Sequence, residues 1–423
     1  FSAYWVVVGE VLGVSIAWFL MANRFKRLTD KYASMTVIDY MASRFRSKDN
    51  LLRVVSAFVL SVFVLIYISA QIDATGSAFE RFLDWDYHVG AMVGFVIVVV
   101  YCVAGGFLAV AWTDMFQGVV MLVCLVMLPL VAFLTLSNSG DIYQGLQTIE
   151  PGLVNIWGSG GFTFMNLMLV LGMMLIGLGF MGSPQVFARF IAIKSEKQIE
   201  RGKWVAVVFT ILVDFSAVSI GLLGRFIFTQ QGIEPDTILG NGAQNVLPEL
   251  VEYVFPPLIV GLYVAAVLSA IMSTVSSLLI MAAGSITHDF YEKTINPNLS
   301  GANAARLCRA ITIVLAIAAM LLAITVSILS PDRTIFWFVI FGWAGIAATF
   351  CPMIILSLFW TKFTEKAAIA SMLAGFLGTL FFKFVVQGFE TVGPYFVALE
   401  TLPPSFVLSL LVGYLVTIWS PDP

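Results

Sequence analysis

The sequence predicts an all-α polytopic membrane protein, because both its composition and its hydropathy pattern demand a lipid environment. Hydrophobic residues make up 60% of the 423 residues, charged residues only 11%, and the mean hydropathy is +0.97. Soluble domains carry about 25% charged residues. A soluble chain of this length could not bury so much apolar surface, so we expect the lipid bilayer to surround it. The net charge of −3 does not indicate binding to nucleic acid, and the sequence implies no obligate protein partner.

Eleven apolar runs are long enough to cross a bilayer. A crossing helix needs about 20 mostly apolar residues, and a backbone facing lipid must pair its own polar groups. The runs lie at 4–23, 54–79, 90–108, 113–137, 164–183, 204–228, 257–284, 310–329, 335–359, 367–387 and 404–420. Strand-like alternation is absent from them, which favours helices. We therefore interpret residues 1–423 as a single transmembrane domain.

The distribution of Lys and Arg orients these spans. Loop 24–53 holds eight basic residues, loop 189–203 holds five, and alternate loops together hold 18 of the 22. Basic loops stay on the cytoplasmic side of a membrane. The N-terminus is therefore predicted outside and the C-terminus in the cytoplasm, in the plasma (inner) membrane. The longer outer loops, 138–163 and 229–256, have room for short interfacial helices.

The chain offers no constellation for enzymatic catalysis. Its cysteines lack both paired and metal-ligand spacing, so we expect neither a disulfide nor a zinc site. No nucleophile–base pair and no phosphate-binding glycine loop is present. The cysteines are Cys102, Cys124, Cys308 and Cys351.

Hydroxyl side chains crowd the run 257–284, in the stretch "LSAIMSTVSSLLIM". Ser273, Ser276 and Ser277 share one helix face, because they stand at i, i+3 and i+4. Ser269 extends this face by a turn, and Thr274 borders it. Such hydroxyls can bond to carbonyls of their own helix or hold helices together. They can also supply the neutral oxygens that replace the water around a Na⁺ ion near the membrane midplane.

The run 164–183 predicts an interrupted helix. It continues as "LGMMLIGLGFMGSPQVFARF", in which four glycines precede Pro184: Gly172, Gly177, Gly179 and Gly182. Glycine permits unwinding and close approach, and proline removes a backbone donor. The pattern indicates either close helix packing or a broken helix that faces a solute.

Four carboxylates fall within or at the ends of apolar runs. A charge at the bilayer midplane costs roughly 2.5–3.5 kcal/mol even on a lenient scale, so each needs a partner, a proton or water. Asp114 lies at a depth compatible with the hydroxyl face. Asp73 lies near an outer end, where it could meet a solute amine. Glu10 could face an outer vestibule, and Asp214 is predicted to be paired or protonated.

Taken together, the motifs resemble the sodium/solute symporter family, and most closely its sodium/proline symporter branch. They are, in family order, "TVIDYMASRF", "GGFLAVAWTD", "GSPQVFARFIA", "LSAIMSTVSSLL", "SITHDFYEKT" and "GWAGIAATFCPMIILSLFW". The resemblance implies a LeuT-like fold of two inverted five-helix repeats. It also implies Na⁺-coupled symport of a small organic solute by alternating access, with an amino acid such as proline as the first expectation.

The resemblance also implies roles for individual residues. The Ala270 carbonyl and the hydroxyls of Ser273 and Thr274 would hold the main Na⁺ ion. A second ion would add Ser276, Ser277 and Asp114 to Ser273, so one or two Na⁺ ions are expected. The solute would meet residues on several spans, with Tyr67 matching a substrate-side tyrosine of the family: Tyr67, Gln71, Ile176, Phe180, Ser183, Pro184 and Trp343.

Two departures from the family pattern bear on these expectations. Ile176 and Phe180 stand where the proline branch typically has Trp and Tyr, which leaves pantothenate, a sugar, sialic acid or another carboxylate open as the solute. The family's first core helix is missing from the sequence, so we expect a fragment that lacks N-terminal helices and a C-terminal tail. A transporter-like membrane domain of a sensor kinase is the alternative from another functional class.

Overall fold

A computed structural model describes residues 1–136, 140–229, 235–299 and 301–420, and every regular element within these ranges is helical. Ten of the helices are long and apolar enough to cross a membrane, which confirms a multi-pass membrane protein. They are α1 (Tyr4–Tyr32), α2 (Leu51–Leu83), α3 (Tyr87–Thr135), α4 (Phe164–Ala192), α5 (Glu196–Phe228), α6 (Pro257–Ile295), α7 (Gly301–Leu329), α8 (Ile335–Phe359), α9 (Glu365–Gly388) and α10 (Leu402–Trp419).

Short helices occupy several of the connections. The two longer loops contain helical turns, as predicted, although residues 137–139 and 230–234 lie outside the described ranges. Another short helix begins after Thr36, whose hydroxyl accepts a hydrogen bond of 2.9 Å from the Asp39 backbone N–H. Such a cap satisfies a donor that the first turn leaves free. The short α-helices are Val37–Phe45, Gly140–Ile149, Asp236–Leu239, Val246–Val254 and Gly393–Leu399.

Two predicted spans, 90–108 and 113–137, are joined in α3. Its 49 residues would extend about 73 Å if straight, more than twice the hydrocarbon thickness of a bilayer. Gly106 interrupts the helix with φ 58° and ψ −160°. Beyond this break, Asp114 contacts Ser277 and Cys124 contacts Tyr263, so this half runs antiparallel to α6. The eleven predicted spans thus correspond to ten helices, because Gly106 turns the chain without ending the helical hydrogen-bond pattern.

Helix α4 is broken, as the glycine-rich sequence predicts. Its middle tightens into a 3₁₀ turn at Ile176–Met181, and Gly182 then takes φ 153°, a conformation that side chains rarely adopt. A second helical segment, Pro184–Ala192, begins with proline at its first position, where no donor is lost.

Glycines bring α1 and α4 into direct backbone contact. A Cβ atom built on Gly13 would lie 2.0 Å from the carbonyl oxygen of Gly177, and one built on Gly177 would lie 1.9 Å from the carbonyl oxygen of Gly9. Only glycine permits so close an approach. Close helix packing and a broken helix, which the sequence offered as alternatives, therefore both occur in α4.

Replacing Gly13 by Ala is expected to destabilise the protein by about 1–3 kcal/mol, because the two backbones would have to move apart. Thermal unfolding of the purified protein in detergent micelles measures this loss. Gly221→Ala is the matched control, because a Cβ at Gly221 meets no atom within 4 Å among the described residues outside the backbone of its own helix. Equal unfolding temperatures for the Gly13 variant and the unsubstituted protein would show that this contact is not tight.

Candidate functional site

A cavity of about 300 Å³ brings residues of five helices together. We call it the central cavity. It contains six residues that the sequence predicts for ion or solute binding: Tyr67, Asp114, Ser273, Thr274, Ser277 and Trp343. The remaining lining residues are Gln185, Arg189 and Leu278.

The hydroxyls of α6 bond mainly to their own helix. Ser273 donates to the carbonyl oxygen of Ala270 at 2.9 Å, Thr274 donates to the same oxygen at 3.2 Å, and Ser276 donates to the Ser273 carbonyl at 3.1 Å. A hydroxyl that donates its proton keeps acceptor lone pairs. Ser273 and Thr274 line the cavity and their hydroxyl oxygens keep lone pairs, whereas Ser276 is buried beside Asp114.

Ser277 belongs to a charged cluster that includes a residue missing from the sequence-based prediction. Arg189 Nη2 donates to Asp114 Oδ2 at 2.5 Å and to Ser277 Oγ at 2.6 Å, and Ser277 Oγ donates to Asp114 Oδ2 at 3.1 Å. Arg189 thereby supplies the cationic partner that a carboxylate at membrane depth requires. The sequence signal that could have identified Arg189 is its position five residues after Pro184, on the segment that follows the helix break.

Two polar groups at this cluster keep unused hydrogen-bonding capacity. Asp114 Oδ1 is buried and has no hydrogen-bond partner among the described residues, and the same is true of both amide atoms of Gln185. Buried polar atoms without partners are uncommon in native proteins and often mark a place for water or an ion. The cavity therefore combines hydroxyl, carboxylate and amide groups that can bind a polar guest.

The carbonyls at the break in α4 are bonded by two side chains of α8 and by Ser183 of α4 itself. Trp343 Nε1 donates to the Ile176 carbonyl at 3.1 Å, while the Gly179 carbonyl accepts from Ser183 Oγ at 2.5 Å and from Cys351 Sγ at 3.3 Å. Carbonyls freed by unwinding are thus bonded within the protein. A Cβ atom at Gly179 would lie 2.3 Å from the Trp343 indole, so glycine is required there.

Several residues predicted for the solute lie outside the central cavity. Ile176 and Ser183 are buried, and Phe180 packs on Trp343 with 5.1 Å between ring centroids. Pro184 lines a separate cavity of about 530 Å³, here called the inner cavity, that also touches Arg189 and Ser277. Gln71 and Ala270 line a third cavity of about 360 Å³. Their roles in solute or ion binding stay predictions.

The other membrane carboxylates have partners outside the cavity. Asp73 is bonded through both oxygens to Arg333, with 3.0 Å between Arg333 Nε and Asp73 Oδ2, and Tyr87 donates to Oδ1 at 2.5 Å. This ion pair leaves Asp73 little capacity for a solute amine. Glu10 and Asp214 lie within hydrogen-bonding reach of each other, joining α1 to α5, which matches the pairing predicted for Asp214.

Comparison with known proteins assigns the family. The sodium:solute symporter family profile matches residues 1–375. The chain belongs to the sodium:solute symporter family. It is 33% identical over 378 residues to the high-affinity proline transporter PutP of Bacillus subtilis, covering 88% of this chain and 76% of that protein. It is 30% identical over 423 residues to a sodium/proline symporter of Staphylococcus aureus, covering 98% of this chain and 79% of that protein.

Solved structures show the same fold. A Na⁺-coupled sialic acid symporter, in a substrate-bound outward-open state, matches 99% of this chain and 85% of its own with a TM-score of 0.77 at 16% identity. A transporter of the nucleobase-cation-symport-1 family, in a closed conformation, matches the same shares with a TM-score of 0.56 at 12% identity. The LeuT-like fold expected from the motifs is thereby confirmed, and this family member performs Na⁺-coupled symport of a solute.

Proposed function

We propose that the solute is proline and that the central cavity binds it beside one Na⁺ ion. The observation that carries this proposal is the juxtaposition of Ser273 and Thr274 with Tyr67 and Trp343 around one cavity. The hydroxyl oxygens are hard ligands suited to Na⁺, and the aromatic rings offer an apolar wall for a small ring. The neighbouring ion would favour the carboxylate of an amino acid, so each ligand would strengthen binding of the other.

The net charge of the residues that line the central cavity supports a zwitterionic solute. Arg189 and Asp114 form an ion pair, so their formal charges cancel. A cavity without net charge suits an amino acid better than an anion such as pantothenate or sialic acid. The names of the curated relatives point in the same direction, because two of them are proline transporters.

The number of ions depends on Arg189. Its guanidinium takes the place beside Asp114 Oδ2 that a second Na⁺ would need, while Oδ1 has no hydrogen-bond partner in the parts of the chain that the structure describes. We therefore favour one Na⁺ on Ser273 and Thr274 in this arrangement. A second ion at Asp114, Ser276 and Ser277 would require Arg189 to move away first, and the charge moved per solute would report it.

The basic loops support an orientation with the N-terminus outside and the C-terminus in the cytoplasm, in the plasma membrane. The inner cavity then lies between the central cavity and the cytoplasm, on the exit path of solute and ion. Helix α4 and helix α6 would part on this side to release them.

Uptake of radiolabelled proline into proteoliposomes tests the proposal. An inward Na⁺ gradient is expected to drive saturable accumulation, and replacement of external Na⁺ by choline is expected to abolish it. Unlabelled proline should compete, whereas pantothenate, glucose, sialic acid and lactate should not. Competition by one of these four but not by proline would overturn the assignment of the solute and leave the symport mechanism standing.

A further inference from the structure

A second polar cluster lies at the end of α6, where Asp289 lines the inner cavity. It consists of Asp39, on the short helix Val37–Phe45, and of His288 and Asp289, on the last turns of α6. One ring nitrogen of His288 and one carboxylate oxygen from each aspartate all lie within 4.8 Å of one another. Asp289 stands twelve residues after Ser277, roughly 15–18 Å along the helix, so this cluster is distinct from the central cavity.

Asp289 is the buried member of this cluster. Its side chain is 0% exposed. One oxygen, Oδ1, accepts from Thr36 Oγ1 at 2.8 Å and from Arg53 Nη1 at 3.2 Å. The other oxygen, Oδ2, is buried without a hydrogen-bond partner in the described part of the chain. A buried carboxylate oxygen left bare is costly, so a ligand at this position would satisfy it.

The surroundings hold the three side chains in place as metal ligands are commonly held. His288 Nδ1 lies 3.0 Å from Glu292 Oε2, an arrangement in which a carboxylate orients an imidazole. Arg53 Nη2 donates to Asp39 Oδ1 at 2.8 Å. Hydrogen bonds of this kind fix the rotamers of ligating groups before an ion arrives.

The charge of the cluster matches a divalent cation. With all three carboxyl groups ionised, as metal ligation requires of Asp39 and Asp289, Asp39, Asp289 and Glu292 contribute three negative charges. Arg53 contributes one positive charge, and His288 is neutral when it acts as a ligand. The sum of −2 balances one divalent ion. One imidazole with carboxylate oxygens is a ligand set that suits Zn²⁺, whereas Mg²⁺ prefers oxygen ligands alone.

We propose that Asp39, His288 and Asp289 form a binding site for a divalent transition-metal cation such as Zn²⁺. The bound ion would join the end of α6 to the segment that begins at Thr36. Thr36 and Asp289 both line the inner cavity, so the ion would hold one wall of that cavity to another. The bound ion would therefore slow the release of solute and Na⁺ toward the cytoplasm, an effect here called the brake. Only this last step rests on the proposed orientation and transport direction.

Binding of Zn²⁺ to the purified, untagged protein in detergent micelles tests the site, with competition against a chromophoric chelator as the readout. We expect one ion per chain. Residues that merely orient ligands contribute roughly 10–100-fold to metal affinity, so H288N is expected to weaken binding by more than about tenfold. Asparagine can still donate to Glu292, which protects folding. The chain has two histidines, and H88A, which changes the other one, should bind Zn²⁺ normally.

Absence of saturable Zn²⁺ binding, or equal affinity in H288N and the unsubstituted protein, would overturn the site.

Uptake tests the brake separately: Zn²⁺ inside proteoliposomes should slow Na⁺-driven uptake by the unsubstituted protein and not by H288N. Undiminished uptake with Zn²⁺ bound would overturn the brake. Metal binding needs no solute, so this result and the identity of the solute can fail independently.

Discussion

Replacing Ser273 or Thr274 by Ala is expected to raise the Na⁺ concentration that half-saturates uptake by about tenfold or more. Both residues line the central cavity and their hydroxyls keep lone pairs, so the loss of either hydroxyl would leave the proposed ion short of one oxygen. A hydrogen bond or ligand contact to a charged group is worth about 1.5–3 kcal/mol, and 1.4 kcal/mol corresponds to tenfold. Initial uptake rates over a range of Na⁺ concentrations measure the shift.

Thr325→Ala provides the matched control for these substitutions. Thr325 Oγ1 donates to the carbonyl of Leu321 at 2.8 Å, as Thr274 does to Ala270, but it is exposed on the surface of α7. Its loss should leave Na⁺ dependence unchanged. If the Ser273 and Thr274 variants required no more Na⁺ than the control, the ion would have to bind elsewhere.

Removing the charge of Arg189 is expected to slow uptake more than tenfold and to lower stability by about 1.5–3 kcal/mol, because Asp114 would lose its cationic partner. The Arg189 side chain is 35% exposed, so the full cost of breaking a buried ion pair does not apply. Arg189→Gln keeps most of the side-chain length, and uptake rate and thermal unfolding are the two measurements.

The double variant Asp114→Asn with Arg189→Gln separates pairing from ion binding. If the two groups act mainly on each other, the double variant should recover much of the stability that Arg189→Gln loses. Additive losses in stability would contradict the pairing. Electrical recording adds a third readout: Arg189→Gln, which frees Asp114, is expected to raise the charge moved per solute if the second Na⁺ site exists.

Hydropathy alone predicted most of the membrane topology. Within the described residues, ten membrane-length helices contain the eleven predicted runs. The difference arises at Gly106, where the chain turns but the helical hydrogen-bond pattern continues. The break in α4 was also predictable, because glycine and proline act locally. Such features depend on a few neighbouring residues and on the thickness of the bilayer.

The pairing of polar groups was less predictable, because it depends on which helices become neighbours. Arg189 counted only as one positive charge in a loop, yet it lies 75 residues from Asp114 in sequence and bonds to it. The partners of Asp73 and Glu10 were hidden for the same reason. Ile176 was predicted for the solute from its position in a motif; it is buried in the 3₁₀ turn, and its role in solute binding stays a prediction.

The glycine contact between α1 and α4 has a mechanical consequence. Where two main chains touch with no side chains between them, neither can slide or tilt without displacing the other. Glu10 and Asp214 add a polar tether from α1 to α5. We therefore expect these three helices to move together during transport, while the hydrogen bond from Trp343 to Ile176 links α8 to the broken part of α4.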